Sequence, residues 1–307
     1  MRYRLLGRTN LTVSVIGLGT WQYGGEWGVD YSNRDVAAIV NRAGELGVNL
    51  IDTAECYGDH RSERLIGEAV RGSRDRWIIA TKFGHWFHGF MDRSRHFALQ
   101  EVLKQLDASL MALGAEYIDI YQSHSPFDDE LFQDDLWAAL LKEVEKGKIR
   151  HLGISISKNN EVKQTEAAAR LGAEVIQVVY NRLDRGPEDG VFQSCMRQNA
   201  GVLARVPLAS GYLSGKYKPG QTFPAADVRS THDQENVLKK LQEAQRIAEH
   251  EVPAGVSMPQ WALAWCLKHP AVAAVIPGSK NPQQLEMNVG AAALLQDGHP
   301  LETAIHG

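Results

Sequence analysis

The chain carries three cysteines, Cys56, Cys195 and Cys266, far apart and with no C-x-x-C pair. That spacing suggests neither a disulfide framework nor a zinc site, so a reducing compartment and no bound metal are expected. No apolar run approaches the roughly 20 residues that cross a bilayer. No charged-then-apolar leader precedes Arg2-Tyr3-Arg4, and a cytoplasmic location with no membrane partner is expected. Basic residues are scattered: 33 Lys and Arg stand against 37 Asp and Glu, and a net charge of −4 gives no footprint for nucleic acid. A dinucleotide fingerprint is missing too. Gly17-x-Gly19 has Gln22 at the third glycine position and no helix directly after it.

What is present is a long, regular alternation. The 307 residues, 44% of them hydrophobic, suffice for a large core. Tyr3 to Ser14 reads as a hairpin around Gly7-Arg8-Thr9-Asn10, placed to cap the floor of the main fold. Strand-like runs follow at Val15–Trp21, Val48–Asp52, Trp77–Thr81, Tyr117–His124, Ile149–Ile154, Val175–Tyr180, Gly201–Val206 and Val272–Ile276. Between them lie helical patterns at Asn33–Glu45, Arg61–Arg71, Phe97–Leu113, Asp134–Lys146, Asn160–Leu171 and Val191–Gln198, the first five of them each stopped by a nearby glycine. Eight strands separated by helices, with no composition break, predict one (β/α)₈ TIM barrel over residues 1–307, with residues 1–14 as the hairpin cap. Gly84 to Met91 and Ser210 to Asp233 read as long loops, the second of a length that is usually functional or disordered.

Parallel strands place their C-terminal ends on one face, and that face carries chemistry. Asp52 closes the second strand, Tyr57 follows in Asp52-Thr53-Ala54-Glu55-Cys56-Tyr57-Gly58, Lys82 ends the third and His124 the fourth. A free tyrosine, with a pKa of about 10, is a poor acid at neutral pH. A neighbouring ammonium lowers that value; Asp52 would hold Lys82, and His124 would orient a carbonyl oxygen toward Tyr57.

These stretches, with Thr81-Lys82 and Ser123-His124-Ser125-Pro126, resemble the tetrad motifs of the aldo-keto reductases in order and spacing. The resemblance implies a reversible carbonyl reductase acting on a small-molecule carbonyl or alcohol, with Tyr57 as proton donor and NADP(H) preferred over a possible NAD(H). It implies that Ser155 and Gln177 hold the nicotinamide amide and that Arg205 takes the ring-stacking place. It also implies that Gly19, Thr20, Trp21, Asp52, Pro207, Leu208, Ser210, Leu213, Gly215 and Lys216 contact the cofactor. Gly278, Ser279, Lys280, Gln284 and Asn288 match the adenosine site. The chain departs from the family in having Ser155-Ile156-Ser157 where Ser-Asn is common. Trp21, Tyr57, Trp86 and His124 are expected at the substrate, with Phe87 and Phe127 as further aromatic walls.

Three rivals stand beside this reading. Potassium-channel β subunits resemble the same family and turn over slowly, which allows a cofactor-binding regulatory subunit. Asp52, Glu55, His60 and His124 are residue types that ligate zinc in a barrel hydrolase, although Lys82 between them opposes a cation. Cys56 with His124 makes a nucleophile pair that lacks an orienting group.

Overall fold

The structure is a computed structural model and describes residues 1–302. Strands β1 (Tyr3–Leu5) and β2 (Thr12–Ser14) form the expected antiparallel hairpin. Next come β3 (Leu18–Gly19), β4 (Leu50–Asp52), β5 (Ile78–Phe83), an antiparallel pair β6 (His85–Gly89) and β7 (Asp92–Arg95), then β8 (Ile118–His124), β9 (Ile149–Ser155), β10 (Ala173–Val179), β11 (Gly201–Arg205) and β12 (Val272–Val275). Setting aside the two hairpins, eight of these strands run parallel in one sheet, in the order β12-β11-β10-β9-β8-β5-β4-β3. Bridges from Ile16 to Val275 and from Gly19 to Gly278 join its two ends, so the sheet closes into a (β/α)₈ barrel.

The helices are α1 (Asn33–Glu45), α2 (Arg61–Ala69), α3 (Leu99–Leu113), α4 (Asp128–Leu131), α5 (Asp134–Glu145), α6 (Val162–Glu166), α7 (Val191–Gln198), α8 (Gln234–His250), α9 (Met258–Leu267) and α10 (Pro282–Val289). Their logic is local. Ser32 and Asp35 form a capping box at the start of α1, whose Val36, Ile39, Val40 and Ala43 face inward. None of the described helices is long and apolar enough to cross a membrane.

The hairpin seals the N-terminal end of the barrel. Leu6 and Val13 are fully buried and pack with Leu50, Ala80, Ile120, Val175, Leu203 and Ala273 from six barrel strands. Arg4 is buried beside it and donates to the carbonyls of Leu267 and Val272 at 2.9 and 2.8 Å, so its charge ties strand to α9 and β12. With that end filled, the open face is the one carrying the strand C-termini.

Three expectations change. The stretch after Lys82 is not a loop: Gly84, at φ +118, turns the chain out of β5, and Met91 at φ +57 closes a hairpin between β6 and β7. A side chain at Gly84 would meet the Phe97 ring at 2.2 Å, so both the turn and the packing require glycine there. The helix expected over 160–171 is regular only at Val162–Glu166, because the chain then tightens into turns in which Ala168 and Gly172 donate three residues back, to Thr165 and Ala169. The first barrel strand pairs only at Leu18–Gly19, because residues 21–24 coil at once into a short 3₁₀ turn.

Candidate active site

Strand register brings the tetrad together. Asp52 lies opposite Ala80 on β5, Lys82 opposite Gln122 on β8, and His124 opposite Ser155 on β9, so each projects from the same rim. Tyr57 sits in the turn after β4, where the backbones of Gly24 and Gly58 touch; a side chain on Gly58 would lie 2.5 Å from the Gly24 carbonyl oxygen. Lys82 is fully buried, and its Nζ donates to Asp52 Oδ1 at 2.8 Å, to the Thr53 carbonyl at 2.6 Å and to Tyr57 Oη at 3.4 Å. Gln177 Nε2 donates to the other Asp52 oxygen at 2.6 Å, and Gln122 supports it at 3.4 Å. Asp52 therefore has both oxygens occupied and cannot swing away from the lysine.

Burial and charge set the protonation states. Burial works against the Lys82 ammonium, but Asp52 and Tyr57 together hold its pKa above the ordinary lysine value, so it is a permanent cation. Tyr57 corrects an expectation: burial raises its pKa to about 12, and the lowering by Lys82 only partly offsets this. The phenol therefore stays protonated at neutral pH. His124 is driven well below the ordinary imidazole value by burial and then by Lys82, Arg93, Arg205 and Arg95, so it is neutral. Its Nδ1 lies 3.6 Å from Cys56 Sγ and 3.5 Å from Glu55 Oε1. A neutral imidazole carries one N–H and one lone pair, which suits hydrogen bonding to a carbonyl oxygen.

A cavity of about 410 Å³ opens on this rim. Gly19, Thr20, Trp21, Asp52, Tyr57 and His124 line one side. Gln177, Arg205, Pro207, Leu208, Ser210 and Lys216 continue the wall, and Gly278, Lys280, Gln284 and Asn288 form its far end. Of the other expected contacts, Ser155 stands behind Gln177, donating to its Oε1 at 3.4 Å. Leu213 is buried against α8 residues, Ser279 is buried and accepts from Asn288 Nδ2 at 3.1 Å, and neither they nor Gly215 line the cavity. Trp86 is also outside it, stacked on His96 at 3.8 Å between centroids, while Phe127 is exposed beneath the Arg95 guanidinium. Phe87 faces elsewhere as well. The zinc-hydrolase set does not assemble: Asp52 is held by Lys82, and His60 by Glu63 at 2.5 Å.

Several lining residues went unread in the sequence. His85 and Arg93 enter from the β6–β7 hairpin, and Trp27, Tyr217 and Arg229 from the two long segments crossing the top. Trp27 bridges Asp227, Asp227 chelates Arg229, and the Val228 amide donates to the Glu26 carbonyl at 3.0 Å, joining those segments over the cavity. Their signal was the length of the 210–233 stretch. Alternation along β8 marks Gln122 as a neighbour of His124 on the same face.

The aldo/keto reductase family profile matches residues 15–298. The chain belongs to the aldo/keto reductase family. As a member it is an oxidoreductase whose family acts on small-molecule carbonyls with nicotinamide cofactors. It is 32% identical over 292 residues to the NADP(+) aldo-keto reductase yakc of Schizosaccharomyces pombe, spanning 92% of this chain and 84% of that one. It is 30% identical over 307 residues to the NADH-specific methylglyoxal reductase of Escherichia coli, covering 93% and 92%. Among solved structures it resembles the holo form of aldo-keto reductase AKR11C1 from Bacillus halodurans, at TM-score 0.80, 29% identity and 95% and 91% coverage. The glycerol dehydrogenase AKR11B4 from Gluconobacter oxydans is similar at TM-score 0.79, 29% identity and 94% and 89% coverage.

Proposed function

We propose that this aldo/keto reductase is an NADP(H)-preferring enzyme that reduces an aldehyde or ketone, with Tyr57 as the proton donor. The observation that carries the cofactor half is electrostatic. Arg205, Lys216 and Lys280 line one cavity, and among the described residues none has a carboxylate within 4.0 Å. Burial lowers the Arg205 guanidinium pKa, Tyr57 and Asp52 offset part of that, and its Nε has no hydrogen-bond partner among the described residues. Unpaired cations around a cavity fit a ligand with phosphate groups, and a planar guanidinium beside Tyr57 fits an aromatic ring. The residues present therefore suit a nicotinamide dinucleotide, which when bound supplies a hydride to carbonyl carbon.

The chain's own groups do the rest. His124 hydrogen-bonds the carbonyl oxygen and points it at Tyr57 Oη. As negative charge builds on that oxygen, Tyr57 gives up its proton, and the Lys82 ammonium at 3.4 Å stabilises the tyrosinate left behind. Asp52 and Gln177 keep Lys82 in place through both states. In reverse, the tyrosinate takes the proton from an alcohol.

Lys280 supports the preference for NADPH. It is exposed at the cavity's far end, its backbone N–H is fixed on Gln284 Oε1 at 2.9 Å, and its ammonium has no carboxylate partner among the described residues. A 2′-phosphate carries about −1.5 to −2 charge and needs such a donor. Gly278 and Gln284 stand where NADPH-selective relatives place a lysine and an arginine, so the preference is modest and NADH is tolerated. The test is purified protein with NADPH or NADH against aliphatic, aromatic and sugar aldehydes. Reduction with NADPH favoured severalfold is expected; tight NADPH binding with no carbonyl reduced would favour a regulatory subunit instead.

A further inference from the structure

Among the described residues, Glu55 is the buried acid of the site that no lysine or arginine answers. The residue is 2% exposed, its Oε1 accepts from the His85 backbone N–H at 3.0 Å, and its Oε2 has no hydrogen-bond partner among the described residues. The nearby cations are engaged elsewhere: Lys82 with Asp52, Arg93 with Glu26, Arg95 with Glu130. His124 approaches at 3.5 Å but is neutral. Buried carboxylates are found paired or on metal ions.

Around Glu55 stand three further groups with lone pairs. Cys56 Sγ, His85 and His124 each offer a ligand atom, and with a Glu55 oxygen all four lie within 4.8 Å of one another. The His85 ring lies tilted by 35° against His124 at 4.8 Å between centroids; its Nε2 meets Arg95 Nη1 at 3.4 Å, and its buried Nδ1 has no partner among the described residues. Tetrahedral zinc, with bonds of about 2.0–2.3 Å, needs ligand atoms roughly 3.3–3.8 Å apart, so closing the set takes side-chain shifts of about 1 Å. Both histidines line the cavity, which gives an ion a way in.

We propose that Glu55, Cys56, His85 and His124 form an inhibitory site for zinc or a similarly borderline-soft divalent cation, which occupies His124 and so blocks carbonyl binding. Binding forms a metal–sulfur bond and breaks the Cys56 S–H bond, with that proton released to solvent. Two neutral imidazoles, a thiolate and a carboxylate then balance the divalent charge. Sulfur and nitrogen donors select zinc over magnesium or calcium. The inhibitory half rests on the role of His124 in carbonyl binding; the binding half does not.

The experiment uses NADPH-loaded protein. Calorimetry with Zn²⁺ alone should give one ion per chain, and Co²⁺ in its place should show a thiolate-to-metal charge-transfer band in the near ultraviolet. Cys56→Ala should lose that band and at least tenfold in Zn²⁺ affinity; His85→Ala, on the hairpin, should lose affinity with the band retained, and serves if Cys56→Ala does not fold. Carbonyl reduction, measured against each protein's own metal-free rate, should fall with Zn²⁺ in wild type and resist it in both variants. No stoichiometric binding, a Co²⁺ spectrum without the thiolate band, or variants that bind Zn²⁺ as wild type does would overturn the site. Stoichiometric binding with an unchanged reduction rate would overturn the inhibition. A protein that binds Zn²⁺ in this way yet reduces no carbonyl would keep the site and remove the reductase reading.

Discussion

The two halves of the cavity differ in how their charges are satisfied. On the side of β4, β5 and β8, Asp52 and Lys82 are buried, paired at 2.8 Å and cross-linked through Gln177, Gln122 and Thr53. On the side of β11 and β12, Arg205, Lys216 and Lys280 face the same space, and among the described residues none has a carboxylate within 4.0 Å. A closed network holds its geometry without help, which suits a proton donor whose position must not vary. An open set of cations is complete only when an anion arrives, which suits binding. The proposed function places chemistry and affinity on different walls, and variants should separate them.

The largest expected effect is on the closed side. Lys82→Met removes the ammonium beside Tyr57 and leaves Asp52 as an unpaired buried charge; carbonyl reduction should fall by roughly 10²- to 10⁴-fold, the range of general acid catalysis. The sign in pH follows from the tyrosine. With a pKa of about 12, Tyr57 is protonated through neutral pH, so wild-type reduction should be flat there while alcohol oxidation, which needs the tyrosinate, climbs with pH. Because Lys82 lowers that pKa, the climb in Lys82→Met should move to higher pH; a profile unmoved by the substitution would separate Lys82 from the acid.

A smaller effect distinguishes two tryptophans. Trp21 lies over Tyr57 at 6.2 Å and 26° between rings and lines the cavity, whereas Trp86 stacks on His96 outside it. Trp21→Ala should cost about tenfold in kcat/KM, of the order expected for one lost aromatic contact, and Trp86→Ala less than about twofold. Comparable losses would mean that the hairpin folds over the substrate.

The smallest is on stability. Burial, then His124, lowers the His85 pKa to about 3, below the unfolded value of about 6.5. The unfolded chain therefore binds the extra proton, so this contribution is complete above about pH 6.5 and is lost as pH falls toward 3. Urea unfolding between pH 6.5 and 4.5 should show a shallower loss of stability in His85→Asn than in wild type; parallel slopes would show that His85 protonates freely.

The contrast between the walls also explains what could be read in the chain beforehand. Asp52 and His124 end their strands and Lys82 stands one residue before the end of β5, so the period of the fold fixed their common rim, and a register of parallel strands left little freedom. The glycine stops after α1, α3 and α5 marked helices for the same local reason. The β6–β7 hairpin was less visible because a segment between a barrel strand and its helix is ordinarily a short connection, and His85 to Arg95 is too polar for its alternation to stand out. Trp86 followed it out of the expected site. Helix α8 was legible in principle: Asp233 caps it by accepting from the Asn236 N–H, and Val237, Leu241, Ala244 and Ile247 repeat at helical spacing. The balance at Tyr57 was beyond sequence altogether: that a lysine adjoins it is a matter of order, but that burial outweighs the lysine depends on three-dimensional enclosure.

The division between the walls is tested most directly by measuring turnover and NADPH dissociation constant side by side in Tyr57→Phe and Lys280→Ala. Tyr57→Phe should lose at least about a hundredfold in kcat, the low end for a missing general acid, with NADPH affinity held within a few-fold. Lys280→Ala should lose roughly ten- to a hundredfold in NADPH affinity, the worth of one charge-assisted hydrogen bond, with little change in NADH affinity or kcat. Undiminished turnover in Tyr57→Phe, or a Lys280→Ala protein that weakens both cofactors equally, would contradict the account.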